Sequence, residues 1–234
     1  MCGRYYRQSD KQAIAEHFAA KVYDFELHDS YNIAPQSTQP IIRVDRDSGE
    51  RELAMMRWGL IPYWSKDASG SGPKIGVSAI NARSETITTN ALYREAFRHR
   101  RCLVPALGFY EWKKLAAKQK QPFAIQVKDT SLCAFAGIWE TWKDKATQQT
   151  LETYSIITTE ANELTATIHE RMPVILPRRD YARWLAPFDA ARPPVDLLRP
   201  YPAEEMVAWK ISAAVGNTRN DSPELLAVLE PQLC

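Results

Sequence analysis

Between Arg101 and Glu160 the chain runs through four strand-like segments, RCLVPALGFYEW, QPFAIQVKD, LCAFAGIWETW and ETYSIITTE. They are rich in β-branched and aromatic residues, which suit a pleated, largely buried surface. No regular helical segment alternates with them, which argues against a sheet built from βαβ units. Upstream, PIIRVDRDSGERELAMMRW reads as two strands joined by a turn at Asp47, Ser48 and Gly49. A last strand is expected through MVAWKIS. Helices are expected over residues 10–20, where Ser9 and Gln12 have capping-box spacing, and over 88–99, opened by a Thr/Asn cap. Two shorter ones fit residues 161–168 and 177–185. The fold class that follows is α+β, with a curved, barrel-like mixed sheet and peripheral helices. Residues 65–76 carry Ser, Gly, Pro and Lys and read as a mobile loop. The chain shows no repeat or low-complexity tract, and the Pro-rich stretch 190–202 lies too late to divide it. One domain over residues 1–234 is the expectation.

A formal charge of +2, from 30 basic and 28 acidic residues, excludes a supercharged nucleic-acid coat. Any DNA binding must come from local clustering of arginines. Cys2, Cys102, Cys133 and Cys234 lie too far apart for a zinc pattern and suggest no disulfide framework, so neither a metal nor a cofactor is expected. The N-terminus has no apolar signal region, and no stretch is long enough to span a bilayer. The expectation is a cytoplasmic monomer with no membrane partner.

Cys2 offers the most chemistry per residue. Its small side chain is compatible with removal of Met1, which would leave a cysteine carrying both a free α-amine and a thiol. Their reference pKa values, about 7.7–8.0 and about 8.5, leave both groups partly nucleophilic near neutral pH. Together they can convert an aldehyde to an imine and close it to a five-membered thiazolidine. A cysteine inside the chain cannot. Against this stands the ordinary fate of second residues, which fray without function.

Glu111 lies between Tyr110 and Trp112. A carboxylate desolvated among aromatics suits proton transfer, whereas strand alternation alone also permits a solvent-facing position. His169 stands where a predicted helix gives way to RMPVIL and can shuttle protons or simply occupy the surface. Asn81 can orient a substrate hydroxyl or the Cys2 amine, or serve a turn; Asn32 suits the structural role better. Arg4, Arg83 and Arg171 each stand within two residues of one of these groups, and guanidinium forks suit phosphate oxygens. Trp58 and Trp64 are candidates for stacking on DNA bases, with one of the two expected in the core.

Six segments follow Met-Cys-Gly-Arg in order: YNIAP at 31–35, WGLIPYW at 58–64, INARSET at 80–86, GFYEW at 108–112, IHERMP at 168–173 and AVGN at 214–217. In this arrangement the chain resembles the SRAP family, whose members include abasic-site-shielding proteins of bacteria and eukaryotes. The resemblance implies a reactive site of Cys2, Asn81, Glu111 and His169, with Cys2 as nucleophile, Asn81 positioning the lesion and the other two handling protons. It implies covalent capture of abasic sites in single-stranded DNA, loss of Met1 by autocatalysis or assistance, and a β-elimination (lyase) side activity. Some members carry an aromatic where this chain has Ser65, which weakens the expectation of strand wedging. Two rivals remain: an N-terminal-nucleophile amidohydrolase, whose asparagine–glycine motif is missing here, and a non-covalent single-strand binder.

Overall fold

The structure, a computed structural model, describes residues 2–65, 79–116, 119–144 and 147–229. Among the described residues, thirteen strands carry the fold. The first sheet holds β1 (Tyr5–Arg7), β2 (Ser30–Ile33), β7 (Gly108–Lys114), β8 (Lys120–Val127) and β13 (Met206–Lys210), in the order β13-β8-β7-β1-β2. The second holds β3 (Thr38–Val44), β4 (Arg51–Trp58), β6 (Arg101–Ala106), β9 (Cys133–Lys143) and β10 (Thr150–Glu160), joined by β5 (Asn81–Arg83), β11 (Arg171–Pro173) and β12 (Ile175–Leu176). In this sheet β10 pairs with β4 in parallel and with β9 antiparallel, so β10-β4-β3-β6-β9 closes into a five-stranded barrel. Closure removes the unpaired edges that an open sheet of such apolar strands would present.

Strand alternation sorts the core into layers. Ile41, Met56, Val104, Phe135 and Ile156 join Tyr5, Phe109 and Ile125 of the first sheet in one cluster between the sheets. Their neighbours Ile42, Leu53, Leu103, Ala136 and Ile157 face the other way. There they meet the helices α1 (Lys11–Phe18), α2 (Arg94–His99) and α4 (Tyr181–Leu185) through Phe18, Phe97 and Trp184. On the outer side of the first sheet, Tyr6, Tyr110 and Ala124 are covered by Val215 and Leu225 from short 3₁₀ turns near the C-terminus. Arg101 ties two helix ends to the barrel. Its guanidinium donates to the carbonyls of Phe97 and Arg98 at the end of α2, and to those of Trp184 and Ala186 at the end of α4.

Several sequence expectations hold. The 38–58 region is a hairpin, and its turn has Gly49 at φ +72° with Asp45 Oδ1 accepting from Ser48 N at 2.8 Å. The expected short helices appear at α3 (Glu163–Ala166) and at α4, the latter preceded by a 3₁₀ turn. Others need correction. The cap of α1 is Asp10, whose Oδ1 accepts from Ala13 N at 2.8 Å, and Ser9 instead donates to the Gln8 carbonyl. The helix expected over 88–99 shrinks to α2, because Asn90 draws the Leu92 N–H into an Asx turn and keeps the preceding Thr-rich segment out of the helix. RCLVPALGFYEW is two strands in different sheets, hinged at Leu107, whose N–H donates to Tyr6 O at 2.9 Å. The loop expected at 65–76 lies outside the described residues beyond Ser65.

Gly108 opens β7 at a close approach to the neighbouring strands. A Cβ there would lie 2.5 Å from the Ile125 carbonyl oxygen and against the Tyr6 hydroxyl. The obstacle is partly backbone and cannot swing aside. Gly108→Ala is expected to cost about 1–3 kcal/mol of stability, as overpacking does. An unchanged urea midpoint would contradict this reading.

Candidate active site at the mouth between the sheets

The chain's first residues enter the gap between the two sheets, and a polar knot fixes them there. Arg4 Nη1 donates to Asn32 Oδ1 at 2.7 Å and to the Val215 carbonyl at 2.9 Å, and Nη2 reaches the Gly216 carbonyl at 3.3 Å. The Asn32 amide is shared among the carbonyls of Val215, Asn217 and Asn220 at 2.8–3.2 Å. Tyr110 N donates to the Arg4 carbonyl at 3.0 Å, which joins the segment to β7. Cys2 is thereby fully buried, in the cluster with Tyr5, Trp58 and Tyr154.

Asn81 and Glu111 act on it directly, and His169 acts on Glu111. Asn81, buried at the start of β5, donates from Nδ2 to the Cys2 carbonyl at 2.8 Å. The Tyr93 hydroxyl supports Asn81 in turn by donating to its backbone carbonyl at 3.0 Å. Glu111 is buried, and strand alternation explains why. It shares a face of β7 with Phe109, opposite Tyr110, and that face looks into the space between the sheets rather than into water. His169 is half-buried before β11, and its Nδ1 accepts from Arg171 N at 3.0 Å. That bond leaves Nε2 as the protonated nitrogen of the neutral ring.

Burial shapes the electrostatics. It pushes the Cys2 thiol well above the ordinary range, and the Glu111 carboxylate pushes in the same direction. It also raises the Glu111 carboxyl, against a pull downward from His169. The influence of Glu111 on Cys2 and of His169 on Glu111 means that the three groups share one electrostatic environment. Among the described residues no group of three or more His, Cys, Asp or Glu side chains has the geometry of a metal site.

The proposed DNA-binding residues fare differently. Trp58 is fully buried, with Nε1 donating to the Ile80 carbonyl at 2.8 Å and its ring stacked at 6.2 Å on Tyr154. It is a core residue and offers no face to a base, which corrects the expectation for it. Trp64 is 52% exposed and stands beside Tyr63, at 61%. The exposed aromatic pair is therefore Tyr63 and Trp64. Tyr63 was missed in the sequence, although its position just after Pro62 in a strand-to-loop exit was the available signal. Ser65 is buried, and its carbonyl accepts from Trp142 Nε1 at 2.9 Å.

Of the three arginines, Arg83 alone is exposed with its guanidinium unpaired among the described residues. Arg4 is held in the knot. Arg171 grips Glu85 with both terminal nitrogens, Nη2 to Oε2 at 3.0 Å, and donates to the Thr158 carbonyl at 2.7 Å. The pairing with Arg171 lowers the Glu85 carboxyl below its ordinary value.

The chain as a whole is similar to known proteins. The abasic site processing protein YoqW of Bacillus subtilis is 41% identical over 229 residues, covering 97% of this chain and 99% of that one. YoaM of the same organism, also named an abasic site processing protein, is 42% identical and covers 97% of both chains. The abasic site processing protein HMCES of Xenopus tropicalis is 35% identical over 86% of this chain and 66% of its own length. A solved structure from Bacteroides thetaiotaomicron superposes with a TM-score of 0.88 at 31% identity, covering 98% of this chain and 100% of that one. Residues 1–218 match the family described as SOS response associated peptidase (SRAP), and with relatives this similar over nearly their whole length, the chain belongs to that family.

Proposed function

We propose that this protein processes abasic sites in single-stranded DNA by capturing them covalently at Cys2 once Met1 has been removed. The observation that carries the reading is the convergence on Cys2 of Asn81, which holds its carbonyl at 2.8 Å, and of Glu111, buried on the same inter-sheet face. The relatives named for abasic-site processing support the choice of lesion.

The ring-opened deoxyribose of an abasic site presents an aldehyde. The neutral α-amine of Cys2 adds to its carbon, and loss of water leaves an imine. The thiol sulfur then adds to the imine carbon while the nitrogen gains a proton, which closes the thiazolidine with atoms balanced and no oxidant or cofactor. Order follows from burial. A desolvated thiol beside a carboxylate stays protonated, so the amine attacks first and the thiol needs a base only at ring closure. In this scheme Glu111 takes and returns that proton, His169 serves the sugar oxygen and the departing water, and Asn81 fixes the nucleophile and the lesion hydroxyl. An imine that does not close can instead lose the 3′ phosphate by β-elimination, the route to a lyase activity. Removal of Met1 in the same site is a cysteine-dependent hydrolysis of the first peptide bond. Arg83 is the first phosphate contact, and Tyr63 and Trp64 provide aromatic faces for flanking bases. The abasic residue has no base to read, so selectivity lies in the aldehyde.

The test is a denaturing gel with single-stranded DNA carrying one abasic site. The wild-type protein should give a denaturant-resistant adduct that requires both the lesion and Cys2, so Cys2→Ala should give none. Glu111→Gln should slow capture by about 10²–10⁴-fold, the range of general acid–base catalysis. Because Glu111 titrates above the usual carboxylate range, wild-type capture should fall as acid protonates it, at a pH higher than an ordinary glutamate would set. In Glu111→Gln that component should be missing, leaving only the fall set by protonation of the Cys2 α-amine. No wild-type adduct, with Met1 shown by mass spectrometry to be absent, would sink the covalent reading in favour of an amidohydrolase or a simple binder.

Arg171 generates a separate expectation. Glu85 occupies its fork as a phosphate would, so DNA must displace a carboxylate to use it. Glu85→Gln should therefore tighten binding of undamaged single-stranded DNA several-fold, measured by fluorescence anisotropy at fixed salt. Unchanged or weaker binding by a protein with native stability would make Arg171 a strut rather than a phosphate contact.

A further inference from the structure

Away from Cys2, a groove of about 510 Å³ runs between the β3–β4 turn, the end of α2 and the segment after α4. It shares Arg101, Ala186 and Pro187 with a smaller cavity of about 190 Å³. Six arginines line the two, Arg46, Arg98, Arg100, Arg101, Arg183 and Arg192, against two aspartates, Asp45 and Asp189. This is a marked concentration in a chain whose whole formal charge is +2. Arg98, Arg100 and Arg183 have carboxylate partners in Glu95, Glu140 and Asp196. Arg46, Arg101 and Arg192 have no ion pair among the described residues.

Arg101 forms the floor. It is buried, held only by backbone carbonyls, and it carries its charge there without any carboxylate. Desolvation pulls its guanidinium down to about 10, as expected of a cation whose charge is not neutralised. Trp139, Phe97 and Trp184 are buried, and cations already lie against the groove's rings, Arg43 4.5 Å over Trp139 and Arg101 5.7–5.9 Å from Phe97, Trp184 and Phe188. What the groove offers is positive charge and guanidinium donors without base readout, which is what a phosphodiester backbone requires.

Its position connects it with the reactive site. The cavity beside Trp64 and the one around Arg46 and Arg100 both include Glu140. On β10, Thr153 pairs with Glu140 and Ile156 pairs with Asn81. Three residues of strand separate the two positions, about 10 Å. That places Glu140, the ion-pair partner of the groove's Arg100, within a few nucleotides' reach of Asn81 along an extended strand.

We infer that this arginine groove is a second DNA-binding surface, which holds the phosphate backbone of the strand that continues past Trp64 from the reactive site. The inference rests on the proposed DNA function but uses none of its reactive residues. Its role is to lengthen the footprint on DNA without adding sequence preference.

The test uses Arg46→Gln/Arg192→Gln, which removes two exposed charges that support no fold contact. A control, Lys11→Gln/Lys128→Gln, removes the same charge from other faces. Each protein is titrated by anisotropy with an undamaged 30-nucleotide single strand over a range of salt. The double arginine variant should lower the slope of log K against log salt by about 1.4, at about 0.7 per lost single-strand phosphate contact, while the control leaves it unchanged. Capture of a trinucleotide with a central abasic site, too short to reach the groove, should stay within twofold of wild type. An unchanged slope with the 30-mer would overturn the inference and leave the groove to an acidic protein partner. An equal loss with the trinucleotide would also overturn it, by making the groove part of the central site. Failure of wild-type protein to capture the trinucleotide would refute the covalent reading instead, and the salt slope would still decide the groove.

Discussion

The placement of the chain's first residues, and of Cys2 with them, depends on the shared amide of Asn32. β1 has three residues and could not by itself hold the N-terminus between two sheets. Asn32 binds Arg4 on one side and three carbonyls of the 214–220 region on the other, so chain segments nearly 200 residues apart close around the entering strand. The knot is almost wholly polar and mostly buried, and its groups would be costly if left unpaired. Its energetic contribution is therefore less distinctive than its specificity. It gives the first residues one register, and with that register one position for Cys2. The knot also engages the Arg4 guanidinium with three carbonyl and amide oxygens, so a phosphate would have to share or displace these contacts to use it.

Burial then sets the chemistry. A thiol in water would ionise near pH 8.5, and an ordinary glutamate would be fully charged at neutral pH. Between the sheets burial shifts both toward their neutral forms, and the Glu111 carboxylate further disfavours ionisation of the Cys2 thiol. A carboxylate whose own affinity for a proton is raised is a better acceptor for the thiol proton that the proposed ring closure releases. Asn81 acts differently. It is held from behind by the Tyr93 hydroxyl and holds the Cys2 carbonyl in front, so it fixes geometry without carrying charge.

How much of this could be read from the sequence depended on how local the cause was. The 38–58 hairpin and the strands of the barrel follow from residue type and turn chemistry, and these were legible. The 88–99 helix failed because Asn90 offered its neighbour a competing hydrogen bond, a contest that propensity does not resolve. Glu111 shows the limit most plainly. Alternation correctly put it opposite Tyr110 and Trp112, but which of the two faces met water was a property of the second sheet. The chain gives no local sign that Phe109 and Glu111 point inward while Tyr110 is covered by residues beyond 210. Trp58 and Trp64 differ for a similar reason. One ends a barrel strand and the other lies past Pro62 in an exit loop, so two like residues six apart end in the core and in solvent.

The arginines complete the argument about charge. A net charge of +2 pointed to local clustering, and the arginines nearest the reactive residues were the natural place to look for it. Two of those three are committed to protein partners. The larger concentration comes instead from the run at 98–101 together with Arg46, Arg183 and Arg192, brought together only because β6 starts where α2 and α4 end. A site that forms a covalent bond needs little affinity at the bond itself. It needs the lesion held long enough for an imine to form and close. Spreading weak, salt-sensitive phosphate contacts away from Cys2 would extend that time without crowding the mouth between the sheets, where water must leave and a sugar must enter. In the proposed scheme, cations set apart from Cys2 suit the capture of a lesion that has no base to recognise.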